Sequence, residues 1–326
     1  MMPFASLSDS ERTSSRAVLC ADIGGSFIKF GFSREPGQVE ELERVPVPKT
    51  DWRELALALQ HLADKVDAGR TLPLGLSTAG LVDPVTGGGL SANIPCLTGL
   101  PIAQAISQVT ERSVFVANDA DCLTLAEAND GAGRGHSVVF CIIIGTGIGG
   151  GIAVDGHILR GAGGVTGEWG HGPALNTSVE IGGRLVQVPR FSCGCGQSGC
   201  VDTIGGARGI EKLHKLFHGE ERSSHNIILD WQAQDVKASE TIEVYLQLVA
   251  DPLAVAVNTV GPSIVPVGGG LASAEALIKA LDSAVRGRIL NRLDRALLVP
   301  AVRREDGGLT GAAVLARQGM SDVRAA

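Results

Sequence analysis

Two short stretches concentrate side chains capable of chemistry. "GEWGHGP" spans Gly167–Pro173, and "CGCGQSGC" spans Cys193–Cys200. His171 with Cys193, Cys195 and Cys200 offers four nitrogen and sulfur donors, the set that closes around zinc in structural sites. Cysteines interleaved with glycine pack a core poorly and suit a ligand loop. A structural Zn²⁺ is therefore preferred here over buried or reactive thiols. Glu168 stands three residues before His171, so a metal that fixes the imidazole also fixes the turn carrying this carboxylate.

A second carboxylate sits in "VFVANDADCLTLAEA" (Val114–Ala128). There an apolar strand ends in Asn118-Asp119 and a helix-like segment follows. A carboxylate at the C-terminal end of such a strand is well placed for a general base. The plainer role for Asp119 is a helix N-cap.

Three glycine-rich turns complete the set. "ADIGGS" (Ala21–Ser26) places Asp22, two glycines and a hydroxyl together, which suits a metal ion and a phosphate as well as an ordinary hairpin. "GTGIGGG" (Gly145–Gly151) contains G-x-G-x-x-G, but a β-like segment follows it where a dinucleotide fold would need a helix. A phosphate-cradling hairpin fits better than a nicotinamide site. "VGGGLAS" (Val267–Ser273) runs into a helix and can lay its backbone against a flat ring or a phosphate.

The elements that position these residues alternate in type. "AVLCADIGGSFIKFGFS" (Ala17–Ser33) reads as a hairpin, and "VVFCIIIGTGIGGGIAVDG" (Val138–Gly156) echoes it. Leu72–Asp83 and Ser263–Ser273 are further strand-to-glycine junctions. Helical periodicity covers Asp51–Val66, with Asp51 as N-cap, and Leu100–Arg112, with Pro101 at the first helical position. Ser239–Val260 and Ala274–Leu290 also read as helices. Alternation of this kind gives an α/β class. The bridge "NDGAGRGH" (Asn129–His136) marks a domain boundary. The expected organisation is a disordered tail over 1–16, a small α/β lobe over 17–132 completed by a C-terminal helix at 309–326, and a larger α/β lobe over 133–308 that carries the metal loop.

The 326 residues suffice for about two domains with their own cores. Net charge is −7 and no basic run exceeds a pair, which argues against nucleic acid or an anionic membrane as partner. The longest apolar run, Val138–Ile144, is far too short to span a bilayer. The polar N-terminus lacks the apolar core of a secretory signal. Seven cysteines in such a chain point to a reducing, cytoplasmic setting. Cys20, Cys96, Cys122 and Cys141 read as packing residues.

Taken in order, "DIGGS", "ANDAD", "GTGIGGG", "GEWGH", "CGCGQSGC" and "VGGGL" resemble the ROK family (repressors, open reading frames and sugar kinases) from Asp22 to about Ala316. The resemblance implies an actin-like, hexokinase-like (ribonuclease H-like) α/β fold of two lobes, with ATP and sugar meeting in the interdomain cleft. It implies that Asp119 takes the proton from a sugar 6-hydroxyl. Asn93, Asn118, Glu168 and His171 would line the sugar site, His171 keeping one ring nitrogen for zinc. Asp22, Gly25, Ser26, Lys29, Thr146 and Gly147 would address the phosphates and Mg²⁺, and Gly268, Gly269 and Gly270 would face the adenine nucleotide.

The chain departs from the family's pattern at Ser26, where Thr is usual, at Asp121, where Asn is common, and at Asp202, where a sugar-binding Glu is usual. Asp202 is one carbon–carbon bond shorter, about 1.5 Å, and is assigned here to the sugar. The long connection "GPALNTSVEIGGRLVQVPRFS" between His171 and Cys193 resembles the family's N-acetylglucosamine kinase branch, as does "CGCGQSGC". The expected substrate order is N-acetylglucosamine, then N-acetylmannosamine and glucose, then fructose. The expected partners are the sugar and ATP, with a homodimer admitted. A sugar-sensing repressor is disfavoured, because the first strand near Ala17 leaves no room for a winged helix and no basic recognition helix is visible. A catalytically silent sugar binder is disfavoured by the intact Asp22, Asp119 and glycine turns.

Overall fold

The structure is a computed structural model that describes residues 17–325. The expected tail at 1–16 lies outside the described residues. Two compact units divide the chain. The first runs through Arg134 and adds His157–Thr166 and Glu305 onward; the second comprises Gly135–Gly156 and Gly167–Arg304. The segment His157–Thr166, expected in the larger lobe, thus groups with the first unit.

The first unit is built on β1 (Val18–Ile23), β2 (Phe27–Glu35), β3 (Gln38–Pro46) and β4 (Leu74–Thr78), with the small ribbon β5 (Leu81–Val82) and β6 (Gly89–Leu90), then β7 (Val114–Asn118). The main sheet runs β3-β2-β1-β4-β7, antiparallel through the first three strands and parallel from β1 to β7. Helices α1 (Trp52–Val66) and α2 (Ile102–Thr110) bury Leu55, Leu59, Leu62, Ile102 and Ile106 in a core that contains Leu74, Leu76 and Val116. Each fully buried Leu or Ile of this kind contributes about 1.5–3 kcal/mol. Asp51 caps α1 by accepting from Arg53 N at 2.8 Å. At α2 the expectation needs correcting: Pro101 is the flanking cap residue, and the helix proper starts at Ile102.

Helix α3 (Asp119–Asp130) leaves the C-terminal end of β7 directly. It packs with Cys20, Ala117 and the buried Ala312, Ala313 and Ala316 in a separate small-residue core. Those alanines belong to the C-terminal helix (Gly307–Ala325), whose small side chains permit close approach to the sheet.

The second unit repeats the plan. β8 (Val138–Ile144) and β9 (Ile148–Val154) form an antiparallel hairpin. With β13 (Val265–Gly268) and β14 (Leu298–Pro300) beyond β8, this unit's strands run in the order β9-β8-β13-β14, and β10 (His157–Ile158) lies in the segment grouped with the first unit. The two small strands β11 (Ser178–Ile181) and β12 (Arg184–Gln187) pair with each other, while β13 (Val265–Gly268) and β14 (Leu298–Pro300) run parallel to β8 and β13 respectively. Helices α4 (Asp202–Gly205), α5 (Ala207–His218), α6 (Ser224–Gln232), α7 (Val236–Val260) and α8 (Glu275–Arg286) follow the cysteine-rich loop, and the C-terminal helix is α9. Helix α7 begins three residues before the expected Ser239, where Asp235 caps it through Ala238 N at 2.9 Å. Tyr245 of α7 is fully buried and donates to Gly205 O at 2.8 Å. The corresponding sheet orders of the two units are those of the actin-like, hexokinase-like class. Among the described residues no helix is long and apolar enough to cross a membrane.

Candidate active site and metal centre

The first unit gathers two carboxylates at the C-terminal ends of its parallel strands. Asp22 stands on β1 with Lys29 directly opposite on β2. The Lys29 ammonium lies 4.0 Å from Asp22 Oδ2 and donates to Glu305 O at 3.3 Å. Ser77 Oγ donates to Asp22 Oδ1 at 2.8 Å. Gly25 lies beside Asn93, close enough that a Cβ there would be 3.8 Å from the Asn93 Cβ. Ser26 and Asn93 are both exposed.

At the end of β7 the capping role falls to Asn118. Its Oδ1 accepts from Asp121 N at 2.6 Å, and the side chain is buried. Asp119 is the first helical residue, and its Oδ1 accepts from Ala120 N at 2.9 Å. The capping alternative for Asp119 is thereby answered: Asn118 does that work. Asp119 keeps an exposed edge, yet the protein packed around its carboxylate strips away part of its hydration and raises its pKa above the ordinary carboxylate value. The Ala120 N–H opposes the rise and the like charge of Asp22 adds to it.

In the second unit the donor atoms of His171, Cys193, Cys195 and Cys200 all lie within 4.8 Å of one another. Cys193 Sγ is 3.7 Å from His171 Nδ1, and Cys195 Sγ is 3.6 Å from Cys200 Sγ. Tetrahedral zinc with Zn–S near 2.3 Å and Zn–N near 2.0–2.1 Å separates its ligands by roughly 3.5–3.8 Å, so this donor set fits the ion. Burial pushes the Cys193 thiol up to about 11, whereas the Gln197 backbone N–H draws Cys195 down to about 7. With Nδ1 facing the sulfurs, His171 turns Nε2 toward Glu168, whose Oε2 is 4.0 Å away. Trp169 anchors the same turn by donating from Nε1 to Gly149 O at 3.0 Å.

The hairpin turn between β8 and β9 holds Thr146, exposed, and Gly147. Gly145 N donates to Gly147 O at 2.9 Å, and Ala207 N at the start of α5 donates to Gly145 O at 2.8 Å. A cavity of about 760 Å³ opens beside this turn, lined by Gly145, Thr146, Ile228, Leu229, Gly270 and Glu275 among others. Its size and mixed apolar and polar wall suit a nucleoside. Of the three expected glycines only Gly270 lines it. Gly268 is a buried strand residue, and Gly269 takes φ +83° where a Cβ would meet the Ile144 backbone, so it brings the loop against β8. The α6 residues Ile228 and Leu229 escaped sequence reasoning because Ser224–Gln232 carries no glycine motif.

Asp202, expected at the sugar, also has a second task. Its Oδ1 accepts from Ile148 N at 2.7 Å, so this carboxylate holds the β8–β9 turn. The connection between His171 and Cys193 also differs from an open loop. It folds as the β11–β12 ribbon, with Val179, Val186 and Val188 buried in the unit's core and Glu180 O accepting from Gln247 of α7 at 2.9 Å.

The ROK family model matches residues 18–319. The chain is 32% identical over 297 residues to an N-acetyl-D-glucosamine kinase of Pectobacterium atrosepticum, covering 90% of this chain and 97% of that one. Among solved structures it is similar to a ROK hexokinase from Thermus thermophilus, with TM-score 0.78 and 29% identity over 94% of this chain and 99% of the other. It is also similar to a ROK family glucokinase from Streptomyces griseus in complex with glucose and AMPPNP, with TM-score 0.70 and 26% identity over 93% and 100% of the two chains. The chain belongs to the ROK family.

Proposed function

We propose that this protein is an ATP-dependent sugar kinase that phosphorylates the 6-hydroxyl of N-acetylglucosamine. The observation that carries the chemistry is Asp119: a carboxylate at a strand end, relieved of capping by Asn118, with its pKa raised by its surroundings. Such a group can take the hydroxyl proton as the new O–P bond forms to the γ-phosphorus and the bond to the bridging oxygen breaks, releasing ADP. Most catalysis in this reaction class is positioning and charge neutralisation. Asn118 and Asn93 would contact sugar hydroxyls, as would Glu168 and His171. Gly25, Ser26, Lys29, Thr146 and Gly147 would hold the phosphates, with the base and ribose in the cavity reaching Gly270. Mg²⁺, held at Asp22, would neutralise phosphate charge.

The zinc at His171, Cys193, Cys195 and Cys200 would be structural. Four protein ligands leave no open position for water or substrate. The choice of N-acetylglucosamine is supported by the 32% identity to a kinase named for that sugar, spanning 90% of this chain. The test is ADP release with Mg-ATP across a panel of N-acetylglucosamine, N-acetylmannosamine, glucose and fructose. The highest kcat/KM is expected with N-acetylglucosamine; a preference for another sugar would displace the substrate assignment, and no ADP release with any would displace the kinase reading. A cytoplasmic location and a homodimer belong to the same proposal.

A further inference from the structure

The carboxylate of Asp202 sits where two functional segments meet. Its Oδ1 accepts from Ile148 N at 2.7 Å, at the residue that begins β9 after the Gly145–Gly147 turn. A Cβ added to Gly147 would collide with that same oxygen, so Gly147 is the residue that admits the carboxylate over the turn. The Asp202 backbone N donates to Gly170 O at 2.9 Å, within the segment that joins Glu168 to His171. Gly170 in turn lies against Ile148, a Cβ there being 3.1 Å from the Ile148 side chain. The second oxygen, Oδ2, is 3.8 Å from Cys193 Sγ. Asp202 follows Cys200 by two residues and opens α4, so the metal loop itself delivers it.

We propose that Asp202 is a positioning residue for nucleotide binding: it locks the phosphate-facing turn Gly145–Ile148 to the metal-bearing segment. The assignment rests on the kinase reading for the identity of the ligand at that turn. Its physical basis is separate. A turn built from glycines has many alternative backbone states, and a charged acceptor on one of its N–H groups selects a single one. The aspartate side chain reaches Ile148 N and lies directly against Gly147, where a Cβ would collide with Oδ1.

The experiment measures AMPPNP binding to the full chain with Mg²⁺ by calorimetry, together with KM for ATP and for N-acetylglucosamine and metal content. Asp202→Ala should weaken AMPPNP by about tenfold, as expected for loss of a hydrogen bond to a charged group. Asp202→Asn keeps an acceptor for Ile148 N and should stay within about threefold of wild type. KM for ATP should rise more than KM for the sugar, and metal content should be unchanged. Should Asp202→Ala fail to fold, Gly147→Ala pushes on the same contact and should give the same nucleotide-weighted defect. Unchanged AMPPNP affinity in Asp202→Ala or Gly147→Ala, or a defect confined to sugar KM, overturns the assignment. Failure of the wild type itself to bind AMPPNP would instead overturn the kinase reading, and this assignment with it.

Discussion

His171 presents its two ring nitrogens to two different partners: Nδ1 faces Cys193 Sγ at 3.7 Å, while Nε2 faces Glu168 Oε2 at 4.0 Å. A ligand that fixes Nδ1 leaves Nε2 as an N–H directed toward the carboxylate, the usual arrangement for a metal-bound imidazole. The two residues share one turn, since His171 N donates to Glu168 O at 3.1 Å. Imidazole and carboxylate are thus linked both through side chains and through backbone, and a metal at Nδ1 would join the same linkage.

Glu168→Gln should therefore separate substrate from metal. KM for the sugar is expected to rise by roughly tenfold or more, the scale of a lost charged hydrogen bond. KM for ATP should change far less, and metal content should stay at the wild-type level. Loss of metal, or a defect falling mainly on ATP, would mean that Glu168 is not organised through His171 in the way proposed.

The four-donor cluster should hold one tightly bound zinc per chain in protein purified without added metal. Cys195→Ser should lower zinc content, and it should reduce stability and sugar affinity together, because the loop that carries the ligands also carries the packing of Cys200 into the unit. Elemental analysis and thermal unfolding measure both. Zinc well below one equivalent with unfolding unaffected by chelator contradicts this.

Stability of the first unit should depend on a pair remote from the chemistry. Arg112 and Asp67 are both buried and joined at 2.6 Å, and Asp67 also accepts from Thr71 N at 2.7 Å and Leu72 N at 2.8 Å. Burial raises the Asp67 pKa, but the Leu72 N–H, Arg112 and the Thr71 N–H together outweigh it and hold the carboxyl below its ordinary value. A depressed folded pKa gives stabilisation that is present above the unfolded value of about 3.9 and lost as pH falls through the folded value. Asp67→Ala removes the buried partner of Arg112 and leaves that guanidinium with Asp64, 3.1 Å away, and Leu72 O, 3.3 Å away, so the change should cost about 3 kcal/mol at neutral pH. Denaturant unfolding of wild type and variant from pH 7 to pH 3 should show the gap closing toward the acid end.

Much of this was legible because the responsible signals are local. The β1–β2 and β8–β9 hairpins follow from apolar runs broken by glycine, and the clustering of His171 with Cys193, Cys195 and Cys200 follows from residue type and spacing. Asp51 as a cap followed from its place before an apolar stripe. What escaped was set by contacts distant in sequence. Asp202 is tied to Ile148 by tertiary packing, so its chemical type suggested a sugar ligand and gave no sign that its Oδ1 anchors a turn. The His171–Cys193 connection hid a ribbon because its alternating valines are short-range and weak until α7 supplies their partner. Ile228 and Leu229 border the nucleoside-sized cavity only because α6 folds back beside the glycine turn. At Asn118-Asp119 two adjacent residues could each cap a helix, and only the Asn118 Oδ1 to Asp121 N bond of 2.6 Å distinguishes them.

The most direct test is phosphoryl transfer by Asp119→Asn, measured as ADP release with saturating Mg-ATP and N-acetylglucosamine beside sugar binding by calorimetry. The amide preserves shape and the Ala120 contact but cannot take the hydroxyl proton. Turnover should fall by about 10²–10⁴, the usual cost of losing a general base, while sugar affinity stays within a few-fold. In the wild type the raised pKa of Asp119 should appear as an acid limb of kcat/KM above the ordinary carboxylate range, activity falling as pH drops through it. That limb should vanish in the variant. Turnover of Asp119→Asn within about tenfold of wild type, with the acid limb intact, would remove Asp119 from the base role and with it the centre of the proposed mechanism.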